Sequence, residues 1–234
     1  MQCEVWIASH FGRGDPTRHR TVLLETLKSL APYPEITHVR IGLSYDFFEN
    51  SPSNQEMIQI LKEKRLTVYR YLGVRKQFDH LRHIFSQFDG DINTLIMFMD
   101  DDDILLHMPL IEPTYLGSLR ISGRQYLPRN YACETDIIST DSWKNIIETK
   151  PILFEIVSDF SGYTCSINDL TTYFLKHPPS IQSDDLNLQE IQRRLAALED
   201  TQFMNYIDSL SHVTPIPFIY HRIWRQLNEK DWVH

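Results

Sequence analysis

The chain contains little glycine, and this argues against two common glycine-rich motifs that bind nucleotides. Only 8 of its 234 residues are glycine. No Gly-x-Gly-x-x-Gly motif follows the first predicted strand, which argues against a dinucleotide-binding domain of that type. No Gly-x-x-x-x-Gly-Lys-Ser/Thr motif occurs, so the chain is not a P-loop enzyme. A bound diphosphate would have to be met by a metal ion and basic side chains instead.

Cysteine is also scarce. The three cysteines, Cys3, Cys133 and Cys165, are widely spaced and odd in number. They form no zinc-binding pattern and no obvious disulfide framework. We therefore expect three buried thiols in a reducing compartment, which favours a cytoplasmic location.

Two further features are missing, an excess of positive charge and a long hydrophobic run. The net charge of -8 argues against a nucleic-acid partner, since nucleic acid is usually bound by a basic face. No apolar stretch is long enough to span a membrane, and the first residues lack the regions of a signal peptide. Hydrophobic residues make up 42% of the chain, which is enough for a sizeable core in a single domain.

The first hundred residues alternate between strand and helix patterns. Apolar segments typical of buried strands are separated by segments with helical spacing of apolar residues. This order predicts an α/β fold with a mainly parallel central sheet and helices on both faces. The predicted strands are Glu4–Ser9, His38–Leu43, Leu66–Tyr71 and Leu95–Met99. Ser53 and Glu56 form a predicted capping box at the start of the helix between the second and third strands.

The second half is less regular. It predicts a strand over 131–139, a helix over 141–148 and a helix capped by Ser166 with Asp169. Ser183 is predicted to cap a long helix that reaches about Leu210. An apolar segment over 216–220 then leads to His221.

Four consecutive aspartates, Asp100 to Asp103, directly follow the fourth predicted strand; we call them the tetrad. Adjacent carboxylates repel one another, and a hard cation such as Mg²⁺ or Mn²⁺ relieves that cost through oxygen ligands. In parallel sheets, ligands bind beyond the carboxyl ends of the strands, where Ser9 and His10 are also predicted to lie. The pattern favours a metal that meets a phosphorylated ligand. The alternative is a solvated acidic turn.

Two motifs resemble those of GT-A glycosyltransferases of the family 2 type. Phe98 to Ile104 is similar to the DxD segment of that fold, with Asp100 and Asp102 as the motif aspartates. Glu199-Asp200, with apolar residues following at helical spacing, resembles the acidic pair that supplies the catalytic base of inverting members.

A third motif and the overall size extend this resemblance. His221, in Tyr-His-Arg, resembles the late histidine that completes the metal shell in many such enzymes. The chain is similar in size to compact glycosyltransferase domains of large algal DNA viruses, the chloroviruses, for which the location would be the host cytoplasm. The resemblance implies one GT-A domain over 1–234, with a nucleotide-binding half over 1–104 and an acceptor and catalytic half over 105–234.

The resemblance also implies a reaction and its participants. The donor would be a nucleotide-diphosphate sugar, most often of UDP, and the acceptor a hydroxyl of a glycan or glycoside. Mn²⁺ or Mg²⁺ would be held by Asp102 and His221, with Asp100 assisting. Asp200 would serve as the general base of an inverting transfer, with Glu199 as the second choice.

Several polar residues near the predicted strand ends are candidates for contacts with the donor. A helix-start charge cluster, a helix cap and loop solvation are the structural alternatives for them. The predicted donor contacts are Ser9, His10, Arg75, Gln77, His80, Asp100 and Asp101.

Two other functions remain open from the residues alone. A metal-dependent nucleotidyltransferase or nucleotide-sugar phosphohydrolase would use the same aspartates to hold a metal. A non-catalytic nucleotide-binding protein would keep the tetrad as a solvated turn. A hydrolase would release phosphate without an acceptor, whereas a transferase needs one.

Overall fold

The computed structural model describes residues 3–11, 16–45, 51–109, 120–128, 140–150, 154–157, 160–177, 199–209 and 219–220. The strands are β1 (Cys3–Phe11), β2 (Ile36–Tyr45), β3 (Arg65–Leu72), β4 (Leu95–Asp100), β5 (Ile104–Leu105), β6 (Gln125–Pro128), β7 (Phe154–Val157), β8 (Thr164–Ser166) and β9 (Ile219–Tyr220). The helices are α1 (Pro16–Leu30), α2 (Asn54–Leu61), α3 (Gln77–Ser86), α4 (Thr140–Thr149) and α5 (Ile167–Lys176). Residues 199–208 are also helical, and we call them the late helix.

The central sheet has five strands in the order β3-β2-β1-β4-β8. β1, β2, β3 and β4 run parallel to one another, and β8 runs antiparallel to β4. This pairing confirms the predicted α/β fold with a mainly parallel central sheet. Because the four parallel strands end at the same edge, the residues that follow β4 lie beside the carboxyl ends of β1 and β2.

The sheet is covered on both faces, and the alternation of side chains along each strand decides which residues meet which helices. Val5 and Met97 face a hydrophobic cluster that includes residues of α1 and α2. Trp6 and Phe98 face the opposite cluster, which includes residues of α3, α5 and the late helix. We call the latter side the α3 face.

Two helices begin where the sequence predicts a cap. Ser53 precedes α2 and its side chain accepts a hydrogen bond from the backbone N–H of Glu56. Ser166 precedes α5 and accepts in the same way from Asp169. Each serine therefore satisfies a backbone donor that the first helical turn leaves without a partner.

β1 is longer than its sequence pattern predicts, and the difference affects the site. His10 and Phe11 continue the strand because they pair with Ser44 and Tyr45 of β2. Ser9 and His10 thus lie within the strand and project to opposite faces of the sheet. They are not neighbours in one loop.

A second, smaller sheet begins directly after the tetrad. Its strand order is β5-β9-β6-β7, and β5 pairs antiparallel with β9. The predicted strand over 131–139 and the predicted cap at Ser183 lie outside the described residues. The division into halves at residue 104 stays a prediction. No helix in the described part of the chain is both long and apolar enough to cross a membrane.

Candidate functional site

The backbone of the tetrad is fixed by hydroxyl groups from distant parts of the chain. The backbone N–H of Asp100 donates to Ser161 Oγ at 3.0 Å. The carbonyl oxygen of Asp101 accepts from Thr26 Oγ1 of α1, also at 3.0 Å. These bonds hold the turn after β4 in one conformation, so its carboxylates have defined directions before any ligand arrives.

Asp101 is held by the protein itself. Its Oδ2 accepts from Ser9 Oγ at 2.5 Å and lies 2.6 Å from His19 Nε2. Burial alone would raise the pKa of Asp101, but the charge of His19 and the hydrogen bonds from His19 and Ser9 lower it overall. Burial likewise opposes the charged form of His19, and Asp101 outweighs this and raises the pKa of His19. The two side chains form an ion pair.

The other three aspartates differ in exposure. Asp100 is half-buried, and its Oδ1 accepts from Gln77 Nε2 of α3 at 2.7 Å. Asp102 is also half-buried, whereas Asp103 is fully buried. Asp103 therefore cannot meet a ligand at the surface in this conformation, and Asp100 and Asp102 are the two tetrad carboxylates left to do so.

His10, Ser44 and His80 form a hydrogen-bonded chain on the α3 face. Ser44 Oγ lies 2.8 Å from His10 Nδ1 and 3.0 Å from His80 Nε2. Ser44 and His80 are buried. Burial, together with the nearby charge of Arg75, lowers the pKa of His80 to about 4, so its imidazole is neutral near pH 7. His80 thus supports His10 from within the protein.

Arg75 lies just after β3, at the same edge of the sheet. Its guanidinium carbon lies 3.6 Å from the centroid of the Tyr71 ring. Tyr71 in turn packs against His80 and His83 at centroid distances of 5.4 and 5.2 Å. A cation over an aromatic face is stabilised by the ring quadrupole, which keeps this guanidinium at the rim.

The predicted catalytic pair lies at the described start of the late helix. Glu199 forms an ion pair with Arg82 of α3, and Asp200 is half-buried. Phe203 anchors this helix on the sheet, with its ring centroid 5.0 Å from that of Phe98. Because Phe98 lies two residues before Asp100 in β4, the late helix packs on the strand that leads into the tetrad.

One predicted metal ligand, His221, lies outside the described residues. Within the described ranges, no group of three or more His, Cys, Asp or Glu side chains is arranged to hold a metal ion. Asp100 and Asp102, which are both half-buried, are the tetrad carboxylates that could hold a cation. Mg²⁺ is commonly held by one or two carboxylates together with substrate phosphates and water, and this pair fits that pattern.

Sequence reasoning missed four residues that shape the site, namely His19, Thr26, Ser44 and Ser161. Ser44 carries a usable signal, because it is a polar residue at the end of the second strand. His19 carries none, since its partner Asp101 is 82 residues away and its own segment is simply a helix.

Comparison with known proteins gives structural likeness only. No family model matches the sequence, and no curated protein matches it. S. aureus TarS 1-349 is similar with a TM-score of 0.49 and 14% identity, over 94% of this chain and 60% of that one. The apo-form glycosyltransferase GlyE of Streptococcus pneumoniae TIGR4 is similar with a TM-score of 0.34 and 15% identity, over 97% and 57%. A nucleoside-diphosphate-sugar pyrophosphorylase from Vibrio cholerae RC9 has a TM-score of 0.43 and 11% identity, over 75% and 79%.

The chain thus spans about 60% of the TarS structure and 57% of the GlyE structure. Likenesses of this degree assign no activity, and a function for this chain has to come from its own residues.

Proposed function

We propose that the protein is a metal-dependent, inverting glycosyltransferase of the GT-A type that uses a nucleotide-diphosphate sugar, with UDP as the expected nucleotide. The observation that carries the proposal is the position of the tetrad. It ends β4, a central strand of the parallel sheet, at the edge where such sheets bind ligands. Hydrogen bonds from the Asp100 backbone N–H to Ser161 and from Thr26 to the Asp101 carbonyl oxygen fix the backbone of the tetrad.

A divalent cation fits the charge of this edge. Asp100 and Asp102 supply oxygen ligands, which Mg²⁺ and Mn²⁺ accept, and His221 is proposed as a further ligand that would favour Mn²⁺. When bound, such an ion would stabilise the negative charge that develops on the departing nucleoside diphosphate. The protein side chains would then position the donor around it.

The donor contacts are proposed from residues at the same edge. Gln77 orients Asp100 through its 2.7 Å hydrogen bond, and Arg75 places a cation near the rim of the sheet. His10 reaches this edge from β1, where it is backed by Ser44. His80 is buried beneath them, so its proposed part is to support His10 rather than to meet the donor alone.

Asp200 is the proposed general base for the acceptor hydroxyl. Glu199 is already engaged by the guanidinium of Arg82, and it would have to leave that ion pair in order to accept a proton. Asp200 precedes Phe203 by one helical turn, which keeps both on the side of the helix that packs towards β4. Removal of a proton from the attacking hydroxyl in the transition state is worth about 10²–10⁴-fold in rate.

The test is a transfer assay with an Asp200→Asn variant. We expect UDP release from a UDP-sugar to require a glycan acceptor in the wild type. Asp200→Asn should leave donor affinity intact and reduce the rate of transfer by about 10²–10⁴-fold. Glu63→Gln, which neutralises an exposed carboxylate before β3, is the matched control and should keep the wild-type rate.

Two outcomes would contradict the proposal. Rapid hydrolysis of the nucleotide sugar without an acceptor would favour a phosphohydrolase. Full transfer activity in Asp200→Asn would remove Asp200 from the base role, leaving Glu199 or a retaining mechanism.

A further inference from the structure

One carboxylate of the tetrad is bound on the protein side. Asp101 Oδ2 receives Ser9 Oγ from β1 and lies within hydrogen-bonding distance of His19 Nε2 from α1, at 2.5 and 2.6 Å. The carbonyl oxygen of the same residue accepts from Thr26 of α1 at 3.0 Å. Side chain and backbone of Asp101 are thus both tied to the elements behind the turn.

His19 is itself held in place. Its ring stacks on that of Phe11 at a centroid distance of 4.2 Å and an interplanar angle of 4°. Its side chain is 14% exposed, and that of Asp101 is 20% exposed. A stacked and largely buried imidazole loses little further freedom when it binds the carboxylate, so the ion pair is pre-organised.

The negative charge of the tetrad explains why Asp101 is paired with His19. Four carboxylates in succession repel each other and would compete for any cation that binds there. His19 Nε2 lies 2.6 Å from one oxygen of Asp101, and Ser9 Oγ donates to the same oxygen. These two contacts engage the Asp101 carboxylate from the protein side, without a metal.

We propose that His19 is a positioning residue for the donor site, which holds the charge of Asp101 inside the protein so that Asp100 and Asp102 alone face the metal and the diphosphate. This inference rests on the proposed function of the same site. It differs from the sequence-based expectation that Asp101 contacts the donor, because Asp101 here serves as an anchor. Ser9 shares the task from β1 and likewise acts through Asp101.

A second substitution, at Asp101, should restore the UDP binding that is lost when His19 is replaced. Without His19, the Asp101 carboxylate is released beside the diphosphate site, where it repels the ligand or draws the cation away. An asparagine at position 101 keeps an oxygen that accepts from Ser9 but carries no charge to release. Asp101→Asn should therefore repair the defect that His19→Ala causes.

The experiment measures the dissociation constant of UDP at a fixed Mn²⁺ concentration by calorimetry for the wild type, His19→Ala, Asp101→Asn and the double variant. We expect His19→Ala to weaken UDP binding by about 10-fold, since a released carboxylate a few ångströms from the diphosphate repels it. Asp101→Asn alone and the double variant should both remain within about threefold of the wild type. Urea unfolding of the same four proteins measures the His19–Asp101 coupling independently of any ligand.

Each alternative outcome is distinct. If Asp101→Asn weakens UDP binding as much as His19→Ala and the double variant is not repaired, Asp101 touches the metal or the donor and the proposal is wrong. Unchanged affinity in His19→Ala also overturns it. If His19→Ala fails to fold, His19→Gln replaces it, with the same expected loss and the same repair by Asp101→Asn.

If the wild type binds neither UDP nor GDP with Mn²⁺, the proposed function itself fails, and the positioning role fails with it. A non-zero His19–Asp101 coupling in the unfolding data would then show that the ion pair exists for stability alone. The ligand data and the unfolding data therefore separate the two failures.

Discussion

The two ends of the parallel strands both gather charged side chains, yet they balance charge in different ways. At the amino end, the carboxylate of Glu4 is surrounded by donors from within the protein. At the carboxyl end, the tetrad places four carboxylates in a row, and His19 is bound to one of them. The first arrangement surrounds one carboxylate with donors, whereas the second places four carboxylates next to one another.

The amino-end network is satisfied by its own members. Arg40 Nε donates to Glu4 at 2.8 Å, and its Nη2 donates to Asp89 at 2.7 Å. Trp6 Nε1 donates to the same Glu4 oxygen at 3.2 Å, and His38 lies 3.3 Å from the other oxygen. Because donors from the protein surround the Glu4 carboxylate, we interpret this network as structural and not as a ligand-binding site.

At the carboxyl end, by contrast, the fold holds like charges close together. Like charges that the fold holds together cost stability, and such costs are typically kept where they serve binding or catalysis. Changes at the amino end should therefore reduce stability and spare ligand affinity. Changes to Asp100 and Asp102 at the carboxyl end should reduce affinity or activity and spare stability.

The largest effect is expected for Glu4→Gln. The side chains of Glu4 and Arg40 are only 9% and 3% exposed, so the variant removes the buried one of the two carboxylates that balance the guanidinium. We expect a loss of about 3–5 kcal/mol in the free energy of unfolding, measured by urea denaturation. Asp89→Asn is the matched control, because the side chain of Asp89 is 69% exposed, and it should cost far less than Glu4→Gln. Equal effects of the two variants would contradict a closed network.

Acid should weaken the same network. Burial raises the pKa of Glu4, but hydrogen bonds from His38, Arg40 and Trp6 outweigh burial and lower the pKa from 4.5 to about 2. Because the folded-state pKa is the lower one, the stabilisation is complete above about pH 4.5 and is lost as the pH falls through about 2. Urea unfolding over this window should show a smaller pH dependence in Glu4→Gln than in the wild type. If the wild type and Glu4→Gln show the same pH dependence, Glu4 does not contribute to the loss of stability in acid.

A smaller effect is expected at Gly42, which lies in β2 between the two ends. A Cβ atom there would lie 2.6 Å from both Cβ and Nδ1 of His80. Gly42→Ala should cost about 1–3 kcal/mol in the free energy of unfolding, because His80 has to shift. The cost should shrink in a His80→Gly background, where both of those His80 atoms are absent. The same cost in both backgrounds would place the strain elsewhere.

Local features of the sequence predicted much of the fold. Ser53 and Ser166 identified two helix starts, because a cap depends on residues only three positions apart. The apolar run before the tetrad identified β4, because such a run is also a local feature of the sequence. The extension of β1 through His10 could not be predicted, since it depends on pairing with Ser44 in another strand.

The site was predictable in outline and not in its contacts. The tetrad and the end of β1 were placed at one edge by the parallel order of the strands. The bond between Ser9 and Asp101 joins residues 92 positions apart, and no spacing rule covers such a contact. The burial of Asp103 depends on packing around the turn, which a run of identical residues does not reveal.

The central claim, that the tetrad binds a metal and a nucleoside diphosphate, is tested most directly by calorimetric titration of UDP and GDP with and without Mn²⁺. We expect the wild type to bind at least one nucleotide only when Mn²⁺ is present. Asp102→Ala should lose this metal-dependent binding and keep the wild-type free energy of unfolding, whereas Glu63→Gln should keep both. The account is contradicted if neither nucleotide binds in either condition, or if Asp102→Ala binds in Mn²⁺ with unchanged affinity.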